Sequence, residues 1–554
     1  MAPKRETLGP SRTVYSSQMN FVRERSWIRL WKTAVAAVFL GVIPIGAPIA
    51  GEPPKAAARS VGGVGYVGPV EVSPQTTIGK HTVEEWREEV DEYWGPGMAA
   101  AEQLRIFNKA WNELDRNYGA FMNLEIDMEA LRRKYRPEIA AGVSKGRLAA
   151  ILNHLSLAML DAHTGIMRRS VNWNTLIRRG TPMLVIGGWN NNASFGASLT
   201  PMPDGSLLVF RTNLAHPLGL EPGDLILGYD GVAWRDLYPQ LLAAELPIRQ
   251  VSSWGSTHKS MEHALLISAG LNWHLFDTID IWKVGSDEVV SLPTGLLANQ
   301  NLTVWGNEQL RVPGVPLPHF PTQDYISWGV VEGTQIGYIY VASWHWEDQY
   351  QISEQWYEAI DELMHHHDTA GLIVDFRLNY GGYMLEAHDG YSLLFNERIT
   401  NFSFDVRGSP DDHLDMVPHA SFNKWLFTIP GDPGTFYDKP IAVLTGPGAV
   451  SNGDWESLRM GYHPMVRTFG KPTNGAFTSS DFPDLGDDWY FTKATGSGYL
   501  VDGHRYLTHT GVQPDVEVWL ERDDVVEGKD TVVETAIRWI ESWAPRRSSG
   551  RRTP

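Results

Sequence analysis

Ser451 stands in the run GPGAVSNGD (446–454), after the apolar, β-branched run IAVLTG (441–446) and before NGDWESLRMGY, whose pattern is helical and whose first residues are cap types. Gly446, Pro447 and Gly448 break the strand. A serine between a strand end and a helix start is exposed, and the N–H groups of its neighbours point at whatever it attacks. That mounting suits an acyl-transfer nucleophile. A Ser-Asn pair at a helix start is also a common N-cap, so other segments must decide. GLIVDFRLNYGGYMLEA (371–387) reads as a buried strand, then Asn-Tyr-Gly-Gly, then a helix. Paired glycines there allow close backbone approach and present N–H donors. LSLAMLDAHTGIM (155–167) places His163 just past an apolar helix, and THTGVQPDVEVWL (508–520) is a turn feeding a final strand.

In this order the segments resemble those of the tail-specific, or C-terminal processing, serine peptidases and the related tricorn core. That family carries an early D-x-H-[ST] element, a PDZ-like module and a D-x-R-x-N-x-G-G strand-turn. Its nucleophilic serine follows, then G-x-[PK]-T-x-G and G-[VI]-x-P-D. Here these read Asp161-Ala162-His163-Thr164, DFRLNYGG (375–382), Ser451, GKPTNG (470–475) and GVQPD (511–515), so the resemblance runs from about residue 85 to 540. It implies a ClpP/crotonase-like core. One branch of the family uses a lysine as base, and the aligned position here is Ala476; Lys471 falls five positions earlier, inside GKPTNG. The tricorn-like branch uses the histidine of the early element, which matches His163. The resemblance therefore implies Ser451 as nucleophile and His163 as general base, an imidazole suited to work near neutral pH.

The third member departs from the pattern. Tricorn-like enzymes orient the histidine with a glutamate three residues before the glycine of G-V-x-P-D; that position is Thr508, followed by His509. A threonine can hydrogen-bond an imidazole but cannot stabilise imidazolium as a carboxylate does. Asp502, nearby in sequence, is the other candidate for orienting His163. By the same resemblance the oxyanion is held by the N–H of Gly381 or Gly382 and that of Asn452, each donor worth a few kcal/mol to a tetrahedral intermediate.

The remaining chain must position these groups. Residues 81–180 read as a helical N-terminal domain, with VEEWREEVDEYW, AEQLRIFNKAWNELDRNY, MEALRRKYRPEIA and GRLAAILNHLSLAML; Leu104, Phe107 and Trp111 mark its apolar stripe. Residues 181–310 contain GLEPGDLILGYDGVAW (219–234), which looks like a PDZ element, with 291–312 as a link to the core. Such a domain either takes an extended peptide onto its edge or is a structural β-domain without a groove. The core, 320–525, alternates strands and helices, as expected of a mixed sheet with crossover helices. The expected architecture is thus multidomain α+β, closed by a C-terminal helix and basic tail over 526–554. The Trp344, His345 and Trp346 run lines the cleft or forms a packed corner.

At 554 residues the chain exceeds what one core usually organises, and its 43% hydrophobic content is that of a globular protein. Most of its 22 tryptophans belong in the core or a groove rather than on a nucleic-acid surface, since a net charge of −18 opposes binding to a phosphate backbone. Residues 1–50 combine a charged leader with the uncharged apolar run from 33, the pattern of an export signal, with a retained anchor as the alternative; 51–80 reads as a linker. There is no cysteine, hence no disulfide framework. His365, His366 and His367 fall in successive helical positions that point apart, so no metal site is expected, and the chemistry needs no organic cofactor. The expected activity is hydrolysis of unfolded or extended polypeptides by an exported serine endopeptidase, periplasmic or extracellular. The rival is a non-catalytic ligand- or peptide-binding protein on the same fold.

Overall fold

Four helices stand near the start of the described chain, Val83–Trp94, Ala100–Asn117, Met128–Ala141 and Lys145–Leu157, and all but the second carry a side-chain N-cap. The computed structural model describes residues 70–168, 195–212, 215–246, 255–286, 288–298, 310–316, 325–345, 351–420, 427–486 and 489–543. The segment expected to direct export, most of the expected linker, Trp346 and the basic tail lie outside them. Thr82 starts the first helix with a capping box: its hydroxyl accepts the Glu85 N–H (3.2 Å) and Glu85 Oε2 accepts the Thr82 N–H (2.7 Å). Asp127 and Ser144 cap the third and fourth by accepting the N–H of Ala130 (2.8 Å) and Arg147 (2.9 Å). In the second helix the buried stripe is Gln103, Ile106, Phe107, Ala110, Trp111 and Leu114, with Leu104 at its margin. The fourth is buried on every side from Leu148 to Leu157, the mark of a helix inside a core. Beyond it the chain turns at Leu160 (φ 47°) and enters the strand Gly165–Arg168, which pairs antiparallel with Trp489–Ala494.

A small β module follows. Its antiparallel strands lie in the order Ala197–Pro201, Leu207–Thr212, Leu225–Tyr229, Thr278–Trp282 and Val289–Pro293, with Val232–Ala233 folding back on Leu225–Tyr229. Residues 291–293, expected to begin a link, are therefore part of its edge strand. The GLEPGD turn closes on Asp224, whose carboxylate accepts the N–H of Glu221 (2.9 Å) and Val284 (2.8 Å). Trp234, fully buried, donates its indole N–H to Leu265 O (2.9 Å) and so ties helix Trp234–Ala243 to helix His258–Ile267.

The central sheet runs Ile326–Val330, Ile336–Val341, Gly371–Asp375, Ile441–Thr445, Val466–Gly470 and Val516–Glu517; the first pair is antiparallel and the rest are parallel. The three middle parallel strands are wholly buried or nearly so, as a sheet covered on both faces requires. One face packs against helix Thr531–Glu541, the other against helices Ile352–Asp361, His388–Leu394 and Asn452–Met460. On the second face Trp344 and Trp356 are 0% exposed and meet edge to face with centroids 5.5 Å apart, so Trp344 belongs to a packed corner. Past Asp361 the helix relaxes into a π-turn over Glu362–His366, where His365 Nδ1 lies 2.8 Å from Asp361 Oδ1. Among the described residues no three potential ligands gather round a metal position, and no helix is long and apolar enough to cross a membrane.

Trp356 also donates its indole N–H to Ala387 O (3.1 Å) and fills the space in front of Gly390. Trp356→Ala is expected to lower unfolding free energy by about 3–5 kcal/mol in a urea titration. A loss below about 1 kcal/mol would show that this aromatic cluster does not hold the crossover helix.

Candidate active site

The candidate site forms at the carboxyl ends of two adjacent parallel strands, Gly371–Asp375 and Ile441–Thr445. A strand followed by a tight glycine turn exposes the next side chain at the sheet edge, where open α/β sheets bind ligands. Ser451 ends that turn with φ 61° and ψ −118°, backbone angles a non-glycine residue adopts only when its surroundings force them. This is the geometry of a strained strand-to-helix turn that lifts a serine hydroxyl clear of the backbone. The forcing groups are identifiable. The Val450 N–H donates to Asn379 O (2.9 Å), and the Ser451 N–H donates to Asp454 Oδ2 (3.1 Å).

The DFRLNYGG run (375–382) resolves into separate jobs. Asp375 and Asp530 both pair with Arg377 (2.6 and 2.8 Å), a buried triad that anchors the strand end to helix Thr531–Glu541. Asn379 is fully buried; its Nδ2–H donates to Val341 O (2.9 Å) and its Oδ1 accepts the Gly381 N–H (2.8 Å). Gly381 (φ 84°) presses against the serine: a Cβ there would lie 2.6 Å from Ser451 Cβ. Gly382 (φ 129°) abuts Trp344 O. Because Asn379 engages Gly381, the N–H groups of Gly382 and Asn452 are the two in this pocket that lack an acceptor among the described residues.

His163 is half-buried at the end of the helical segment. Asp161 shapes its turn: Oδ1 accepts the His163 N–H (3.2 Å) and Oδ2 accepts the Thr164 hydroxyl (2.6 Å). The ring's Nδ1 lies 2.5 Å from Thr478 Oγ1. Burial pulls the imidazole below its ordinary 6.5, and the Asp161 carboxylate partly offsets this, so the ring is neutral at pH 7. Thr478 thus occupies the place reserved for Thr508 or Asp502. The Thr508 hydroxyl donates to Phe477 O (3.3 Å), and Asp502 is an exposed turn residue whose N–H donates to Asn401 Oδ1 (2.9 Å). His509 faces the carbonyls of Ser256 (2.8 Å) and Ala120 (3.0 Å), away from His163.

Asp454 joins the two halves. Fully buried, it accepts the N–H of Ser451, of Gly475 (2.7 Å) and of Ala476 (3.0 Å). Two residues after Ala476 comes Thr478, and on it His163. One chain of bonds therefore runs from the serine turn to the imidazole, although no hydrogen bond joins Ser451 directly to His163 among the described residues. Burial outweighs the Thr473 hydroxyl and the three backbone donors and pushes the Asp454 carboxyl up to about 7. Lys471 stands apart: its ammonium sits over the Trp519 ring at 4.9 Å, and burial lowers it to about 8. Thr478 and the bridging role of Asp454 escape a sequence reading. Thr478 sits in AFTSSD with no motif around it, and Asp454 looks like an ordinary first-turn acid.

Residues 335–518 match peptidase family S41. No curated protein matches the chain in sequence. Among solved structures, mature CPAF is 14% identical with a TM-score of 0.56, the alignment covering 80% of this chain and 97% of that one. Mature CPAF complexed with lactacystin gives 14% and 0.55, covering 80% and 98%. The photosystem II D1 C-terminal processing protease is 17% identical with a TM-score of 0.39, covering 77% and 96%. The chain shares the mixed α+β fold of mature CPAF, and its residues 335–518 form a domain of peptidase family S41, the family of the tail-specific serine peptidases.

Proposed function

We propose that the chain is an exported serine endopeptidase that hydrolyses peptide bonds in unfolded or extended polypeptides with a Ser451–His163 pair. The observation that carries this is the strained backbone of Ser451, pressed against Gly381 and bonded through Asp454 to the segment whose Thr478 meets His163. Strain is retained where it serves a site. In the reaction Ser451 Oγ attacks the scissile carbonyl while His163 Nε2 takes its proton, then returns it to the leaving amine. Thr478 fixes the ring by accepting the Nδ1–H. No carboxylate touches Nδ1, so the imidazolium is stabilised by the field of Asp161 within the same turn. The oxyanion rests on the N–H groups of Gly382 and Asn452; using Gly381 instead would break its bond to Asn379. No metal or organic cofactor takes part.

In this reading the chain divides into a helical domain, a PDZ-like module over the small β sheet, and the peptidase core. In the module, helix His258–Ile267 packs beside the edge strand Ala197–Pro201, the kind of border along which an extended peptide adds. The apolar 33–51 segment directs export. A second reading, a binding protein on this fold, is favoured by one feature, the threonine where a carboxylate would orient the histidine.

Three experiments test the reading. Against casein, Ser451→Ala and His163→Ala should each lose at least about a thousandfold in kcat/KM, and Ser451→Ala should lose labelling by a fluorophosphonate. A wild-type chain that neither cleaves nor labels supports the binding protein. Gly381→Ala, which drives a methyl into Ser451, should lower kcat at least about a hundredfold; near-normal turnover would place the reacting serine elsewhere.

The third is the pH profile. Asp454 must be ionised to accept three N–H groups, so kcat/KM should rise with pH through about 7. Asp454→Asn should lower the plateau and leave only the limb below 6.5 that His163 sets. The stability effect has the opposite sense. Folded Asp454 holds its proton above the ordinary 3.8, so its contribution to folding is fullest below that value and declines as pH rises to about 7. An unchanged profile in Asp454→Asn would remove this carboxylate from the catalytic frame.

A further inference from the structure

Asn474, the variable position of GKPTNG, clasps the turn that leads to Ser451. Its N–H donates to Ala449 O (3.0 Å) and its Nδ2–H to Pro447 O (3.2 Å). On the other side its Oδ1 accepts the Ser256 N–H (2.9 Å), and its carbonyl accepts the Ser260 hydroxyl (2.9 Å). Ser256 then reaches the second half of the site, because its Oγ accepts the N–H of Ala162, the residue before His163 (2.9 Å). Ser256 is 0% exposed and Asn474 2%, so water does not compete for these bonds. Ser256 and Ser260 belong to the start of helix His258–Ile267, which is part of the small β module rather than of the core.

We propose that Asn474 and Ser256 are positioning residues, a bracket through which the small β module sets where Ser451 and His163 stand relative to each other. The proposal rests on the Ser–His reading above. Thr478 holds the imidazole ring, but among the described residues the N–H groups of 162 and 163 have just two acceptors, Ser256 Oγ and the Asp161 side chain. Loss of the Ser256 hydroxyl leaves the Ala162 N–H without an acceptor and lets the histidine turn move. Asn474→Asp keeps the acceptor for Ser256 and sets an oxygen against Pro447 O, so the serine turn shifts. Reacting groups displaced by about 1 Å can lose about a hundredfold in rate without losing substrate affinity.

The test compares Ser256→Ala and Asn474→Asp with Ser268→Ala, which deletes another buried hydroxyl bond of the same module, to Leu265 O (2.6 Å), far from both turns in sequence. In the intact chain the first two should lower kcat at least about tenfold with KM within about twofold, and Ser268→Ala should change neither beyond about twofold. Amide exchange read by mass spectrometry should quicken over 160–166 in Ser256→Ala and over both 160–166 and 447–453 in Asn474→Asp, and in neither segment for Ser268→Ala. Exchange that stays unchanged, or a kcat loss shared equally by Ser268→Ala, overturns the bracket. Coupled exchange in a chain whose wild type hydrolyses nothing upholds the bracket and overturns the peptidase reading.

Discussion

Asp454 accepts three backbone N–H groups in a place where water does not reach, and the geometry of the site descends from those bonds. One of the three belongs to Ser451 and holds it in a conformation the backbone would otherwise leave. The other two belong to the segment that carries Thr478, so the same carboxylate sets the strained serine and, at one remove, the imidazole. A buried carboxylate without donors would protonate or pull water in; with three it becomes a fixed anchor. The buried triad of Asp375, Arg377 and Asp530 does comparable work below, holding the strand end from which the glycine turn departs. The site is therefore a set of backbone turns held by buried polar side chains, with few direct contacts between the reacting groups.

At position 476 a fully buried alanine gives Asp454 its backbone N–H, a bond any residue but proline could make there, and sets no ammonium beside the serine turn. Backbone donors thus meet the acid with no titrating side chain at 476, and His163 is the imidazole that the same frame holds through Thr478. Lys471 is a cation over an aromatic face, an interaction complete without the serine.

The strand-turn-helix mounting of Ser451 was legible because local punctuation carries it: a β-branched run, three turn residues and a cap-type start. The Gly-Gly turn was legible for the same reason, and parallel alternation of the core follows from strand and helix periods that are local too. What was not legible depends on contacts between distant segments. The partner of His163 is 315 positions away, in a stretch whose composition marks nothing. Thr508 sat at the right motif offset, but its hydroxyl is turned to Phe477 O, an orientation set by packing rather than spacing. The choice between Gly381 and Gly382 likewise depended on Asn379, whose side chain could equally have pointed to solvent in a loop read alone. Residues 291–293 looked like the start of a link because a short edge strand has exposed alternate positions and ends in Pro293.

The pairing of Gly165–Arg168 with Trp489–Ala494 has a consequence for biosynthesis. The histidine turn emerges from the ribosome early, yet its strand partner and Thr478 are made near the end of the chain. Contacts so far apart in sequence carry a large loop-closure entropy and form late. During synthesis the helical segment can fold while its terminal turn has nothing to dock against, so a nascent or truncated chain has a histidine and no partner for it. Completion of the polypeptide is thus the event that brings His163 against Thr478, and an unfinished copy lacks that contact by topology alone.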